Sequence, residues 1–427
     1  VRPKPLLLLH SANHSSPKTW PPGELRRYVR SQLSSVVVTS IAETPDARQI
    51  APAAPGEFES VSVGPMRIWP PVILAPMAGV TNYPFRSLCR ELGAPVCVGE
   101  MVTARPLVHR VARTLSLAAF GESESPRSIQ LYGTDPHWVS LATRYLVDEL
   151  GAGHIDLNFG CPVRKVTAQG GGAALPHKPL LLAKIIRAAV SSAGGIPITA
   201  KFRLGIDDQH LVYLQTGRIA EQEGCAAIAL HARTAAQLYS GHANWNAIGE
   251  LKQAVGIPVF GNGDIWEAAD AIRMMRQTRC DGVVVGRGCL GRPWLFRDLS
   301  RMFSGSRPSE APKVGAVLEI MLEHARRQAN WMGEKAGVIA FRRQAAWYTK
   351  GMRASAELRQ RLVRIDSLDG LAQAVTSLDP NEPFPQAALR VPRCKDAGTQ
   401  RVSLPAGYLD DPFDDTSPAE HDAHDGG

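Results

Sequence analysis

Long hydrophobic runs are missing from this chain of 427 residues. Its apolar stretches are of strand length, whereas a membrane-spanning helix needs about 20 apolar residues in a row, so no span is expected. Leu6, Leu7, Leu8 and Leu9 form too brief an apolar block for a secretion signal, and no apolar run follows Arg26 and Arg27, so no leader is expected either. Cysteine is scarce: seven residues, an odd number, with no C-x-x-C pair. That argues against a disulfide framework and a metal site, and suits a reduced, cytoplasmic compartment. An early G-x-G-x-x-G turn is also lacking, which argues against a doubly wound dinucleotide-binding sheet.

Residues 406–427 contain no Lys or Arg but hold seven acids: Asp410, Asp411, Asp414, Asp415, Glu420, Asp422 and Asp425. The net charge is +8; with those acids set aside, 48 Lys and Arg face 33 acids on residues 1–405, a surplus of +15. So basic a body suits a polyanionic partner, although a scattered basic surface is also simply solvated.

Residues 1–57, rich in Pro, Ser and Ala, read as a disordered extension. Apolar strand-like runs then recur at 72–75, 96–99, 128–131, 154–157, 197–202, 227–230, 258–260 and 282–285, most of them separated by helix-period segments such as 138–150, 180–192 and 267–277. Eight strands alternating with helices predict an α/β fold, a (β/α)8 TIM barrel over residues 58–305. From 306 to 380 the pattern is helical only, with segments at 314–332, 336–352, 356–365 and 368–377, which predicts a small all-helical C-terminal domain. Residues 381–427 return to Pro, Gly and acid and read as a disordered tail.

In such a barrel the residues after each strand line one mouth, where chemistry collects. The run Ile155-Asp156-Leu157-Asn158-Phe159-Gly160-Cys161-Pro162 hands a thiol from a strand end to a loop. Cys161 reads either as a reactive group or as a small buried thiol filling a core gap. At the same mouth, the first strand ends in Ala75-Pro76-Met77-Ala78-Gly79, small enough to admit a flat ring. Gln130, Asn158, Lys201, Arg203 and His231 come from the next strand ends; each alone could be a rim charge or a satisfied core group. The last two strands carry Gly261-Asn262-Gly263-Asp264 and Val285-Gly286-Arg287-Gly288, glycine-bearing loops where barrels hold phosphate. A phosphate tail there and a polar-edged ring over the earlier strands outline flavin mononucleotide, FMN. A phosphate-binding lyase using Lys201 as a Schiff base is a competing reading, but it leaves Cys161 and Gln130 idle.

Several stretches together resemble the tRNA-dihydrouridine synthase family. They are Ala75-Pro76-Met77-Ala78-Gly79-Val80-Thr81-Asn82 with Pro84-Phe85-Arg86 after it, Asn158-Phe159-Gly160-Cys161-Pro162, Lys201-Phe202-Arg203-Leu204-Gly205, Gly261-Asn262-Gly263-Asp264 and Gly291-Arg292-Pro293-Trp294. The helical Arg342-Arg343-Gln344-Ala345-Ala346-Trp347-Tyr348 resembles the B-type bacterial subfamily, with Gln344 where that pattern has His; Ala232 likewise replaces a usual Gly. The stretch Thr167-Ala168-Gln169-Gly170 lacks the basic residues expected beside the cysteine loop.

The resemblance implies an FMN enzyme that takes electrons from NADPH or NADH and reduces the C5–C6 double bond of uridines in tRNA. It implies that Cys161 is the general acid and that Lys201 lies near the flavin N1–C2 edge. Gln130 would bond the ring edge, Pro76, Met77 and Ala78 would pack on the ring, and His231 would bridge flavin and phosphate. Asn262, Gly263, Asp264, Gly286 and Arg287 would hold the phosphate, and Asn158 and Arg203 the target uracil. Arg342 and Arg343 would meet tRNA, while Trp347 reads either as a stacking surface or as a domain-core anchor. A monomer without membrane contact is expected. Reduction of a free pyrimidine or other small molecule on the same barrel is the alternative, and it gives the basic helical domain no task.

Overall fold

Eight strands rich in β-branched residues, each followed by an amphipathic segment, have one way to cover both sheet faces: they close on themselves inside a ring of helices. In the computed structural model, which describes residues 24, 25, 27, 49–353, 355–393 and 398–418, they do so. The barrel strands are β3 (Val72–Leu74), β4 (Val96–Thr103), β5 (Ser128–Tyr132), β6 (His154–Phe159), β7 (Ile198–Arg203), β8 (Ala227–His231), β9 (Val259–Asn262) and β10 (Gly282–Val285). All neighbours are parallel, and β10 pairs with β3 to shut the barrel. Every strand lies where the alternation predicts it, though β4 runs on to Thr103.

Period-two alternation sorts the side chains into two sets. Ile129, Leu131, Ile155, Leu157, Ile198, Ala200 and Phe202 are buried in the main core. Ile73, Val96, Val98, Ala227, Ala229, Phe260 and Val284 form a second cluster with Val61, Val63 and Ile68. The last three belong to a hairpin, β1 (Val61–Val63) and β2 (Met66–Ile68), that the sequence reading did not foresee. Its strands are three residues each, too short to show a period, and Gly64 at φ 55 supplies the tight turn between them.

The helical region comprises Val314–Met332, Glu334–Tyr348, Ser355–Leu362 and Leu368–Val375 around Val317, Met321, Val338, Phe341, Tyr348, Leu358 and Leu371. Trp294, just past the barrel, is buried in this core edge-on to Phe384 at 5.6 Å. Gly291, at φ 62, lets the two parts touch: a Cβ there would lie 2.4 Å from the carbonyl carbon of Trp347. Trp347 itself is 8% exposed and belongs to the main core, so it is an anchor rather than a stacking surface.

The tail expected to be disordered is corrected in part. Residues 398–418 lie against the barrel: Tyr408 is buried and its hydroxyl donates to Gly170 O at 2.8 Å, Lys178 Nζ donates to Asp411 O at 2.7 Å, and Lys184 pairs with Asp415 at 2.7 Å. A basic body offers acids a docking place that composition alone does not reveal. Near the other end, Ala53 is buried and its N–H meets Met302 O at 2.9 Å, so the expected N-terminal extension is packed at least there. Most of that extension, with residues 394–397 and 419–427, lies outside the described residues.

Candidate active site

Cys161 follows β6 in a loop pinned from two sides. The side-chain oxygen of Asn158 accepts from the N–H of Gly160 at 3.0 Å and of Cys161 at 2.9 Å, an Asx turn. Arg203 Nε donates to Gly160 O at 3.0 Å, and its Nη1 donates to Thr234 O and Leu238 O, both at 2.9 Å. Asn158 and Arg203 therefore commit these polar atoms to the loop, although both also line the cavity. Burial pushes the Cys161 thiol up, against the smaller pull of the Val163 N–H and Arg203. The sulfur is a neutral S–H at pH 7. Cys89, Cys97, Cys225, Cys280 and Cys289 are buried core thiols, and Cys394 lies outside the described residues.

Across the barrel interior, Gln130 donates through Nε2 to Asp156 Oδ2 and accepts on Oε1 from Asn158 Nδ2, both at 2.7 Å. Lys201 also lines the cavity, and no hydrogen bond or ion pair ties its Nζ to another described residue. Burial and then Arg203 bring its pKa down to about 8, with Asp156 opposing them. His231 is held well below the usual imidazole range, by burial first and then by Arg203, Lys201, Arg233 and Arg287. It is neutral at pH 7.

The loops after β9 and β10 form the far end of the cavity. Asp264, at φ 57, has its carboxylate taken by Arg233 Nη2 at 2.7 and 2.9 Å and by the N–H of Ala243 at 2.7 Å. Asn262 Nδ2 donates to Val284 O at 2.8 Å. These two expected cofactor residues thus have their side chains engaged with the protein, and Arg233 neutralises an acid that would otherwise repel an anion. Gly286 lies at the strand ends beside the first wall: a Cβ there would make only ordinary contacts, 3.7 Å from Ala75 Cβ and 3.8 Å from Met77 Sδ. Arg287 has its guanidinium 4.1 Å from the Tyr239 ring centroid and 5.3 Å from that of Trp266, a cation held between aromatic faces.

A cavity of about 370 Å³ runs between these parts, with Ala75, Pro76, Met77 and Ala78 on one wall and Gln130, Lys201 and His231 among the rest. A second space of about 670 Å³ opens between the barrel mouth and the helical domain, lined by Tyr83, Glu100, Trp331, Arg343 and Gln344 among others. Cys161, Met101, Ala78 and Val163 border both. Of the two expected tRNA contacts, Arg342 is stapled within its own domain, Nε donating to Ile365 O at 2.6 Å. Arg343 lies on the groove and donates to Gly79 O at 2.9 Å.

Tyr239, Arg233 and the Tyr83–Trp331 pair, with ring centroids 4.9 Å apart, were missed by the sequence reading. They come from loops and helix ends that carry no periodic signal. Asp156 was missed although it stands two residues before Asn158, and strand alternation places both on one face.

A closed parallel barrel with a thiol, an ammonium and two glycine-bearing loops at one mouth defines an enzyme of the (β/α)8 class. The dihydrouridine synthase profile matches residues 73–382, and the chain belongs to that family. A probable tRNA-dihydrouridine synthase of Mycobacterium tuberculosis (strain CDC 1551 / Oshkosh) is 50% identical over 376 residues, covering 85% of this chain and 96% of the relative. A tRNA-dihydrouridine synthase B of Pseudomonas aeruginosa is 39% identical over 316 residues, covering 74% of this chain and 94% of the relative.

Proposed function

We propose that the protein reduces the C5–C6 double bond of uridines in tRNA, with FMN as its resident cofactor and NADPH or NADH as reductant. One observation carries this reading: Cys161 borders both a cavity of cofactor size and a wide groove against a basic helical domain. The residues fit FMN. Lys201 is a largely buried cation with no hydrogen bond or ion pair among the described residues, the wall from Ala75 to Ala78 has room for a ring, and Gly263, Gly286 and Arg287 offer an anion end. Gln130 would bond the ring edge and His231 would stand between ring and phosphate. When bound and reduced, FMN supplies the electron pair and hydrogen that reach uracil C6.

The remaining work belongs to the chain. Lys201 places positive charge where negative charge develops. Cys161 Sγ–H gives its proton to C5, and its raised pKa keeps that proton in place until needed. Asn158 and Arg203 hold the cysteine loop from beneath while lining the space a uracil would enter. The target base must leave its stack to arrive there, and the groove of about 670 Å³ beside Cys161 is where the RNA around it would lie. Among the described residues no helix is long and apolar enough to cross a membrane.

The purified protein should be yellow and should form dihydrouridine in tRNA but not from free uridine, read by mass spectrometry of nucleosides. Equal turnover on both substrates would favour a small-molecule reductase instead. Arg343→Gln should lose one charge, and its shorter amide gives up the bond that Nη2 makes to Gly79 O. Its tRNA affinity should fall, and the slope of log K against log salt should become shallower by about one. An unchanged slope would remove Arg343 from the RNA contact.

A further inference from the structure

Alternate residues of β5, β6 and β7 build an unbroken polar seam through a barrel whose other inner wall is apolar. Its central member, Asp156, is 4% exposed, and nothing in the reaction described above uses it. Buried acids are rare unless paired. Resting on the reading just given, the geometry points to Asp156 as a positioning residue: it fixes the direction of the hydrogen-bond chain that ends at the Cys161 loop, and it is the counter-charge of Lys201.

The direction follows from what each group can donate. A carboxylate only accepts. Asp156 takes Thr199 Oγ1 on Oδ1 and Gln130 Nε2 on Oδ2, both at 2.7 Å. Gln130 must therefore turn its carbonyl towards Asn158 Nδ2, at 2.7 Å, and Asn158 its own carbonyl towards the N–H groups of Gly160 and Cys161. On the other side, Thr199 has spent its hydroxyl hydrogen on Asp156. It can only accept from His154 Nε2, at 2.9 Å, and His154 Nδ1 in turn accepts from Ser128 Oγ at 2.6 Å. Burial lowers the His154 pKa to about 4, so the ring is neutral and the chain demands one tautomer, Nε2–H.

The charge matters for Lys201. The charged and titratable groups that act on it are Arg203 on its own strand, Asp156 on β6 and His231 on β8. Asp156 is the one acid among them. Burial pushes the Asp156 carboxyl up, while the hydrogen bonds from Thr199 and Gln130 and the charge of Lys201 pull it down, with the Cys225 thiol nearby; the carboxylate form is the one that accepts from both donors at 2.7 Å.

Asp156→Asn separates charge from shape. The new amide oxygen can keep Gln130, while its NH2 donates to Thr199; the Thr199 hydroxyl then turns to His154 Nε2, and the ring proton moves to Nδ1. Nitrogen-15 NMR of histidine-labelled protein, with and without FMN, reads this directly. Nε2–H is expected at His154 in the parent and Nδ1–H in the variant. Loss of the acid lowers the Lys201 pKa further, so flavin reduction by NADPH should lose its rate at a pH lower by about one unit, as expected for removing an opposite charge at close range. FMN should stay bound. Nδ1–H in the parent protein, which needs no variant to fold, would overturn the inference, as would coincident pH profiles. A parent protein that never takes up FMN would instead sink the functional reading, while the histidine tautomers would still report on Asp156.

Discussion

Cys161→Ala should bind FMN and accept electrons from NADPH at the parent rate, within about twofold, yet turn over tRNA at least about 100-fold more slowly, the range that a positioned general acid supplies. On the proposed reading the two half-reactions separate because the thiol lies in the wall shared by the cavity and the groove. Burial raises the thiol above its ordinary range, so it serves as a proton donor across the neutral and mildly alkaline range rather than as a nucleophile. Cys161→Ser sharpens the test: it retains the size and the S–H-like geometry, but a hydroxyl is a far weaker acid than a thiol. It should rescue little. Stopped-flow reduction with NADPH and single-turnover reoxidation by tRNA read the two halves apart. Parent-like reoxidation in the Ala variant would remove Cys161 from the chemistry.

Much of this architecture was legible before any coordinates, and the reason is physical. A strand buried on both faces must read as a compact apolar run, and a helix on its outside must alternate with period 3.6; eight repetitions of that pair leave little choice of fold. The strand-end positions of Gln130, Lys201 and His231 followed from the same count. What was hidden depends on partners far apart in sequence. The carboxylate of Asp264 looked like a ligand group, but Arg233 and the Ala243 N–H already hold it. Asn158 and Arg203 line the cavity as expected, and their hydrogen bonds also fasten the loop that carries the thiol, which the sequence did not show. Arg342 and Arg343 were alike as letters. One donates to Ile365 O inside its domain, and the other reaches the barrel at Gly79 O. The hairpin of β1 and β2 was too short to announce itself, and the docking of Tyr408 on Gly170 joins residues 238 positions apart.

Lys201→Met should cost the enzyme on the other side of the reaction. The methionine keeps most of the side-chain volume and removes the charge, so the barrel interior should stay packed. FMN binding should weaken about 10- to 100-fold, as expected for losing a buried charge-assisted contact, and reduction by NADPH should slow by about 100-fold. The pH dependence makes the role specific. In the protein alone the Lys201 pKa is about 8, below its ordinary value because of burial and Arg203. An anionic ring beside it favours the protonated form, so the parent enzyme should hold its rate through neutrality and lose it only as the pH climbs past about 8. The methionine variant has no proton to lose there, and its slow rate should be flat across the same range. Rates measured from pH 6 to 10 on both proteins decide the matter: if the two profiles bend together, the alkaline limb belongs to another group, and the ammonium is a packing element rather than the source of positive charge at the ring.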